Sequence, residues 1–201
     1  MSAVYNKSFP APELDRKEIL RYAGVHSEAD AELKGLLDGV ICEAKSKLRY
    51  RVCYTELPIW RTGETINFGF AKISSSALEK ELSGCDRALV FAATVGIEID
   101  RLIKRSMVSS PSRALIFDAL GTERIEALCD AFCDEYSREL SGRGMALSRR
   151  FSPGYADLPL SFQKDIFSAL ECDKRIGLTL NESLIMSPSK SVSAIVGIRN
   201  L

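Results

Sequence analysis

Histidine is almost absent: of 201 residues only His26 is one, beside Gly24-Val25 and Ser27 at a helix junction. Any Ser-His-Asp or Cys-His nucleophile system would have to use it, and nothing around it marks it as a base. Charge imbalance is absent too. Lys+Arg 27 and Asp+Glu 27 cancel, so no basic excess points to nucleic acid or an anionic membrane surface. No apolar run approaches the roughly 20 residues needed to cross a bilayer. The start, Met-Ser-Ala-Val-Tyr-Asn-Lys, has no apolar core behind a basic segment, so the expected location is cytoplasmic. The six cysteines, Cys42, Cys53, Cys85, Cys129, Cys133 and Cys172, include no Cys-x-x-Cys pair and are expected as free thiols acting as small apolar residues. Cys129 and Cys133 share a helix face, but no second pair or histidine completes the four ligands of a structural zinc site. No metal is expected. Gly-x-Gly-x-x-Gly is missing, which argues against a dinucleotide fold.

The apolar fraction of 46% is ordinary for a globular protein. The length suits one domain over 1–201, with a helical N-terminal part (1–48) and a sheet-containing core (49–201). Residues 1–12 show no period and are expected as an extended arm. Residues 14–22 form a short helix with Asp15 as N-cap, and 28–48 a longer one with Leu33, Leu36, Leu37, Val40, Ile41 and Ala44 on one face. Residues 49–59 and 64–71 alternate like strands and are expected to pair as an antiparallel ribbon. Trp60, between them, covers an edge of the core or anchors a partner. Ser75 or Ser76 caps a short helix, with Glu79 completing a capping box from Ser76. Ala88–Ala93 is a continuous apolar run, suited to a strand buried on both faces. A helix follows Thr94-Val95-Gly96, with Ile97, Leu102 and Ile103 inward.

The longest helix runs from Ser110-Pro111 to about Leu140 along Phe117, Leu120, Ile125, Leu128, Phe132 and Tyr136. Gly121 inside it permits close approach by another element, and Glu123 and Glu126 are expected in solvent. Phe162–Leu170 reads as a helix, Ile176–Leu180 and Ser191–Ile198 as strands, and 181–190 as a connection able to close over the preceding loop. The fold class is α+β: an antiparallel β-sheet with long helices packed around it.

Between the long helix and Phe162 lies Arg149-Arg150-Phe151-Ser152-Pro153-Gly154-Tyr155-Ala156-Asp157-Leu158-Pro159-Leu160. It has neither helical nor strand period. Pro153-Gly154 is a turn pair, and Gly154 can adopt positive φ and let a ligand approach the backbone. Arg150 offers a planar fork of donors and Tyr155 a flat ring with a polar tip. Together they suit a ligand with a carboxylate at one end and an aromatic base at the other. A structured surface loop is the competing reading of the same residues.

Arg150-x-x-Pro153-Gly154-Tyr155-x-x-x-Pro159 resembles the S-adenosylmethionine-binding loop of the activation domain of cobalamin-dependent methionine synthase, usually Arg-Pro-Ala-Pro-Gly-Tyr-Pro-Ala-Cys-Pro. Downstream, Gly177-Leu178-Thr179-Leu180-Asn181-Glu182-Ser183, Met186-x-Pro188 and Ser191-Val192-Ser193 resemble that family's second motif. Phe91-Ala92-Ala93-Thr94-Val95-Gly96 is similar to a stretch of its free-standing members. The likeness is densest over 149–193.

The resemblance implies a module that binds S-adenosylmethionine and supports reductive methylation of cobalamin on a separate methionine synthase or corrinoid protein. A reduced flavoprotein would donate the electron. Arg150, Ser152, Gly154 and Tyr155 are the implied ligand residues, and Glu182 and Ser183 secondary ones; no general base is needed. Departures are Ala156-Asp157-Leu158 for Pro-Ala-Cys, Ala194-Ile195-Val196-Gly197 where aromatics are usual, and an end at Leu201 before a segment that adds ligand contacts in the full synthase. Intact Arg150, Gly154 and Tyr155 favour the binding module; the early end favours the alternative of a non-catalytic module that docks on a corrinoid protein without binding S-adenosylmethionine.

Overall fold

A computed structural model describes residues 3–201. Its centre is a five-stranded sheet in the order β1 (Tyr5–Ser8), β2 (Arg51–Pro58), β6 (Arg87–Thr94), β10 (Ser191–Asn200), β7 (Met145–Phe151), every neighbour antiparallel. β6 lies in the middle. Its run Ala88–Ala93 is fully buried, because helices cover both faces and each alternate residue finds an apolar neighbour. Leu89, Phe91 and Ala93 face α2 (Ala31–Lys45), α4 (Glu98–Ser109) and α5 (Pro111–Ser141). Ala88, Val90 and Ala92 face α3 (Ser76–Glu81), α6 (Phe162–Leu170) and α7 (Cys172–Ile176).

The long helix α5 buries the stripe expected of it, from Phe117 to Tyr136. Phe132 meets the Phe91 ring edge-on at 5.0 Å. Gly121 sits where α5 crosses α4: a Cβ there would stand 2.9 Å from Ile99 Cγ1 and 2.8 Å from Lys190 Cγ. That closeness is why glycine is tolerated inside the helix despite its poor propensity. Glu123, expected in solvent, is buried and ion-paired with its neighbour Arg124. Glu123 accepts from the Asp15 amide at 3.0 Å, and Arg124 donates to the carbonyls of Pro12 and Glu13, each at 2.7 Å. The pair is buried because it satisfies backbone groups of the N-terminal segment that would otherwise be orphaned.

That segment is more than an arm, since Tyr5–Ser8 forms the edge strand beside β2. With β1 on one side and β6 on the other, β2 has no free edge, so the expected ribbon between 49–59 and 64–71 does not form. Instead β3 (Trp60–Thr62), β4 (Thr65–Asn67) and β5 (Lys72–Ser74) make a small separate sheet, with Trp60 half exposed on it. Helix α1 (Arg16–Tyr22) is capped by Asp15 as expected. The cap of α3 is Ser75, whose side chain accepts from the Leu78 amide; Glu79 does not complete a box but accepts from Arg61 at 2.8 Å. Ile97 is exposed, and Ile99 and Leu102 take the inner face of α4. Ile176 ends α7 rather than opening a strand: Gly177, at φ +66°, terminates the helix, and only Thr179–Leu180 (β8) pair, with Met186–Ser187 (β9). No helix among the described residues is long and apolar enough to cross a membrane.

Three substitutions test this packing. A Cβ at Gly197 of β10 would stand 2.5 Å from Cys85 Sγ, whereas one at Gly35 on the exposed side of α2 meets nothing within 4 Å. Gly197→Ala is expected to destabilise by about 1–3 kcal/mol through overpacking, and Gly35→Ala to stabilise by about 0.5–1 kcal/mol. Arg124→Met, which strands the buried Glu123 carboxylate, is expected to cost about 3–5 kcal/mol. Urea unfolding of the three variants checks all three values.

Candidate functional site

The motif loop begins inside the sheet. β7 continues through Phe151, so Arg149–Phe151, expected to be irregular, belong to an edge strand. Its register against β10 shifts between Val196 and Ile198. At that bulge Ser148 Oγ accepts from the Gly197 amide at 2.9 Å. The extra residue re-aims the strand, a common use of a bulge. Arg150 thus pairs with Val196, whose side chain lies in the α5-facing core, and Phe151 pairs with Ile195 of the opposite core. Arg150 therefore stands on the α5 face.

There its Nη2 donates to Glu126 Oε2 at 2.9 Å and to Asp130 Oδ1 at 2.8 Å. Glu126 and Asp130 are four apart on α5, so they share a face, and as like charges they would weaken a lone helix. Arg150 between them removes that penalty. Its side chain is 27% exposed, and its Nε and Nη1 make no hydrogen bond among the described residues. Burial pushes the Asp130 carboxyl above its ordinary value, assisted by Glu126 and opposed by Arg150. Beneath this cluster, burial raises the thiols of Cys129 and Cys133, the latter to about 11. Both are therefore neutral apolar groups at the edge of the site.

The strand stops after Phe151, and Pro153, with no amide hydrogen to offer, cannot extend it. The next residues fold back tightly. Tyr155 N donates to Ser152 O (3.2 Å), Leu158 N to Tyr155 O (3.0 Å) and Gly154 N to Leu158 O (2.8 Å). Gly154 holds φ +89°, and a Cβ on it would reach within 3.1 Å of Leu160 Cδ1. Tyr155 is 71% exposed, its ring edge-on to Phe151 at 6.1 Å. Leu158 is buried against the α6 side of the core and anchors the turn from below.

Asp157, the acid where the resembled motif has none, holds the loop from its other side. Oδ1 accepts from Ser75 Oγ (2.5 Å) and the Ala77 amide (3.2 Å); Oδ2 accepts from the Ser76 amide (2.6 Å) and Ser76 Oγ (2.8 Å). Those donors hold the Asp157 carboxyl far below the usual carboxylate range, the Ser75 hydroxyl first. The latch accompanies a left-handed Ala156 at φ +50°, a conformation an alanine adopts only when its surroundings impose it.

Arg150, Ser152, Gly154 and Tyr155 thus lie together on the end of β7 and its turn. Glu182 and Ser183 are placed elsewhere, exposed at the tip of the β8–β9 hairpin, where Asn181 supplies the turn's hydrogen bonds. The segment 181–190 is tied to the α4–α5 layer: Ser189 N donates to Asp100, and Lys190 Nζ bonds Thr122 and pairs with Asp118. None of its hydrogen bonds reaches the 152–160 loop. Glu126, expected in solvent, pairs with Arg150 instead; Asp157, read only as a departure from the motif, latches the loop; and Asp130 was not singled out. The i,i+4 carboxylates on an otherwise apolar stretch of α5 were the available signal for Glu126 and Asp130.

Residues 77–200 match the family described as vitamin B12 dependent methionine synthase, activation domain. The chain belongs to that family. The match spans β6, α5, β7, the loop and β10, so every residue of the Arg150 site falls inside it. Among solved structures, the MetH reactivation domain crystallised with AdoHcy is similar over 98% of this activation-domain chain and 78% of its own, with a TM-score of 0.69 and 17% sequence identity. At that identity the likeness establishes the fold, including the N-terminal region outside the family match. No curated protein sequence matches the chain.

Asp157→Ala is expected to lower the Tm at neutral pH. A carboxyl whose folded pKa is depressed contributes stability that is complete above its unfolded value of about 3.9 and lost as pH falls below it. The Tm difference between wild type and Asp157→Ala should therefore hold from about pH 7 to about pH 5 and shrink on further acidification. Thermal melts across that range check it.

Proposed function

We propose that this chain binds S-adenosylmethionine at the end of β7 and supports reductive methylation of cobalamin held by a separate methionine synthase or corrinoid protein. A reduced flavoprotein is the proposed electron donor. The observation that carries the reading is the Arg150 cluster, a cation with free donors set between two carboxylates beside an exposed tyrosine and a positive-φ glycine.

The cluster's charges suit that ligand. Arg150 contributes one positive charge; Glu126 and Asp130 contribute two negative ones. S-adenosylmethionine carries an ammonium, a sulfonium and one carboxylate, a net positive charge of one. Its carboxylate can take the free Nε and Nη1 donors of Arg150 as charge-assisted hydrogen bonds. Its cationic groups fall under the acidic surplus. Ser152 and the open backbone at Gly154 can line the adenosine, and the Tyr155 ring offers a stacking face. Reduced cobalamin on the partner supplies the nucleophile toward the methyl group. This chain's share is to bind, orient and shield the sulfonium, which needs positioning and no general base. Glu182 and Ser183 are proposed as secondary ligand residues, reaching from the tip of the β8–β9 hairpin.

Calorimetric titration with S-adenosylmethionine and S-adenosylhomocysteine tests the reading. Arg150→Ala is expected to weaken S-adenosylmethionine binding roughly 10- to 100-fold, the worth of a charged hydrogen bond. S-adenosylhomocysteine, lacking the sulfonium charge, should bind more weakly than S-adenosylmethionine, and Asp130→Asn should narrow that difference. Equal affinity in wild type and Arg150→Ala would remove Arg150 from the site. No binding, alone or with a cobalamin protein present, would favour the docking module that does not take S-adenosylmethionine.

A further inference from the structure

On the sheet face away from Arg150, two thiols meet in the core. Cys53, in the middle of β2, and Cys172, the first residue of α7, lie with sulfurs 3.8 Å apart, 119 residues apart in sequence. Both are almost completely buried, Cys53 at 0% and Cys172 at 1% exposure. Their surroundings are not wholly apolar. Arg51, two residues before Cys53 on β2, projects to the same face. Its Nη2 lies 3.8 Å from the position of a Cβ on Gly177, just past α7. Arg175 of α7 pairs with Glu171 through Nη2 at 3.0 Å. The Nε atoms of Arg51 and Arg175 are both buried without a hydrogen-bond acceptor among the described residues. Unpaired buried donors are costly, and a guanidinium near a dithiol, here Arg175, favours the thiolate form.

We propose that Cys53 and Cys172 are a reversible oxidation site, forming a disulfide with hydrogen peroxide and returning to thiols with a dithiol reductant. Either sulfur can donate to the other. The contact, and after it Arg175, lower the Cys53 thiol, which favours Cys53 as the attacking sulfur; exchanged roles give the same disulfide. The Cys53 thiolate attacks one peroxide oxygen; the O–O bond breaks, the departing hydroxide takes up a proton as water, and Cys53 becomes a sulfenic acid. Cys172 Sγ then attacks Cys53 Sγ, the S–O bond breaks, and the Cys172 proton leaves with the hydroxyl as a second water. Two electrons have passed from the sulfur pair to one peroxide.

Closing the pair requires the sulfurs to approach by less than about 2 Å, to the usual bond length near 2.05 Å. Cys172 sits at the end of a five-residue helix entered through Glu171 in the left-handed conformation (φ 50°), so a small shift of α7 supplies the movement. The product staples α7, and the β8–β9 hairpin after it, to the central sheet.

The test treats the folded full-length protein with hydrogen peroxide, then denatures it, alkylates the remaining thiols and maps the peptides without reduction. The expected result is a fall in thiol titre from the six cysteines present to four. A cross-linked peptide pair should contain Cys53 and Cys172, and dithiothreitol should restore the titre. The oxidised protein should also melt higher than the reduced one, because a cross-link over so long a loop restricts the unfolded chain. In Cys172→Ala the paired loss should disappear. Should that variant not fold, the wild-type peptide map decides alone. Recovery of Cys53 and Cys172 as alkylated thiols while the exposed Cys42 is oxidised would overturn the proposal, as would a cross-link between other cysteines.

Discussion

The end of β7 that carries Arg150 depends on how an edge strand is held against a long helix. Among the described residues β7 pairs with a strand only on its β10 side, its Arg149 amide donates to Glu81 of α3, and a bulge has already turned it. Its far end is also held by the Arg150 guanidinium, gripping Glu126 and Asp130 one turn apart on α5. A partly exposed ion pair contributes little to global stability. Its value here is geometric: two acceptors on a rigid helix set the guanidinium plane, and the strand end follows it. Because α5 is itself locked by Phe132 against Phe91 of the central strand, the site is referenced to the most buried part of the fold.

From that anchor the loop is built in layers. Pro153 cannot extend the pairing, Gly154 supplies the positive φ, Leu158 plugs the core, and Asp157 clasps the serines at the start of α3. The loop is thus fastened to both faces of the sheet, Arg150 on one and Leu158 on the other. Tyr155 is left outside as the exposed group, which is the arrangement expected of a surface that meets a ligand or a partner. The family's pattern is kept in Arg150, Gly154 and Tyr155. The departure at Asp157 adds a fastening and leaves those three residues free.

Much of this was legible in the sequence, and the reasons differ by element. The buried run Ala88–Ala93 and the stripe along α5 were plain because one period held over many residues. Gly121 could be read as a close approach because a glycine inside a long helix needs a reason. The ribbon between 49–59 and 64–71 went wrong because alternation gives a strand's faces but not its neighbour; the N-terminal segment and β6 occupied both edges of β2. Glu123 was misjudged because its burial depends on the Asp15 amide and, through Arg124, on the carbonyls of Pro12 and Glu13, all more than 100 residues away, and no local pattern encodes those. In the site, the motif residues on β7 and its turn were readable together. For Glu126 and Asp130 the i,i+4 spacing signalled a shared helix face, but only the tertiary fold makes them partners of an arginine on a strand.

The most direct test of the central claim, that the Arg150 cluster and its loop form the S-adenosylmethionine site, is a backbone amide NMR titration of the full-length protein with S-adenosylmethionine. The account predicts saturable shifts concentrated on Arg150–Leu158 and on the α5 turn containing Glu126 and Asp130, with β3–β5 and α1 unmoved. Shifts confined to the α7 and β8–β9 side, with the Arg150–Leu158 amides unchanged at saturation, would contradict it.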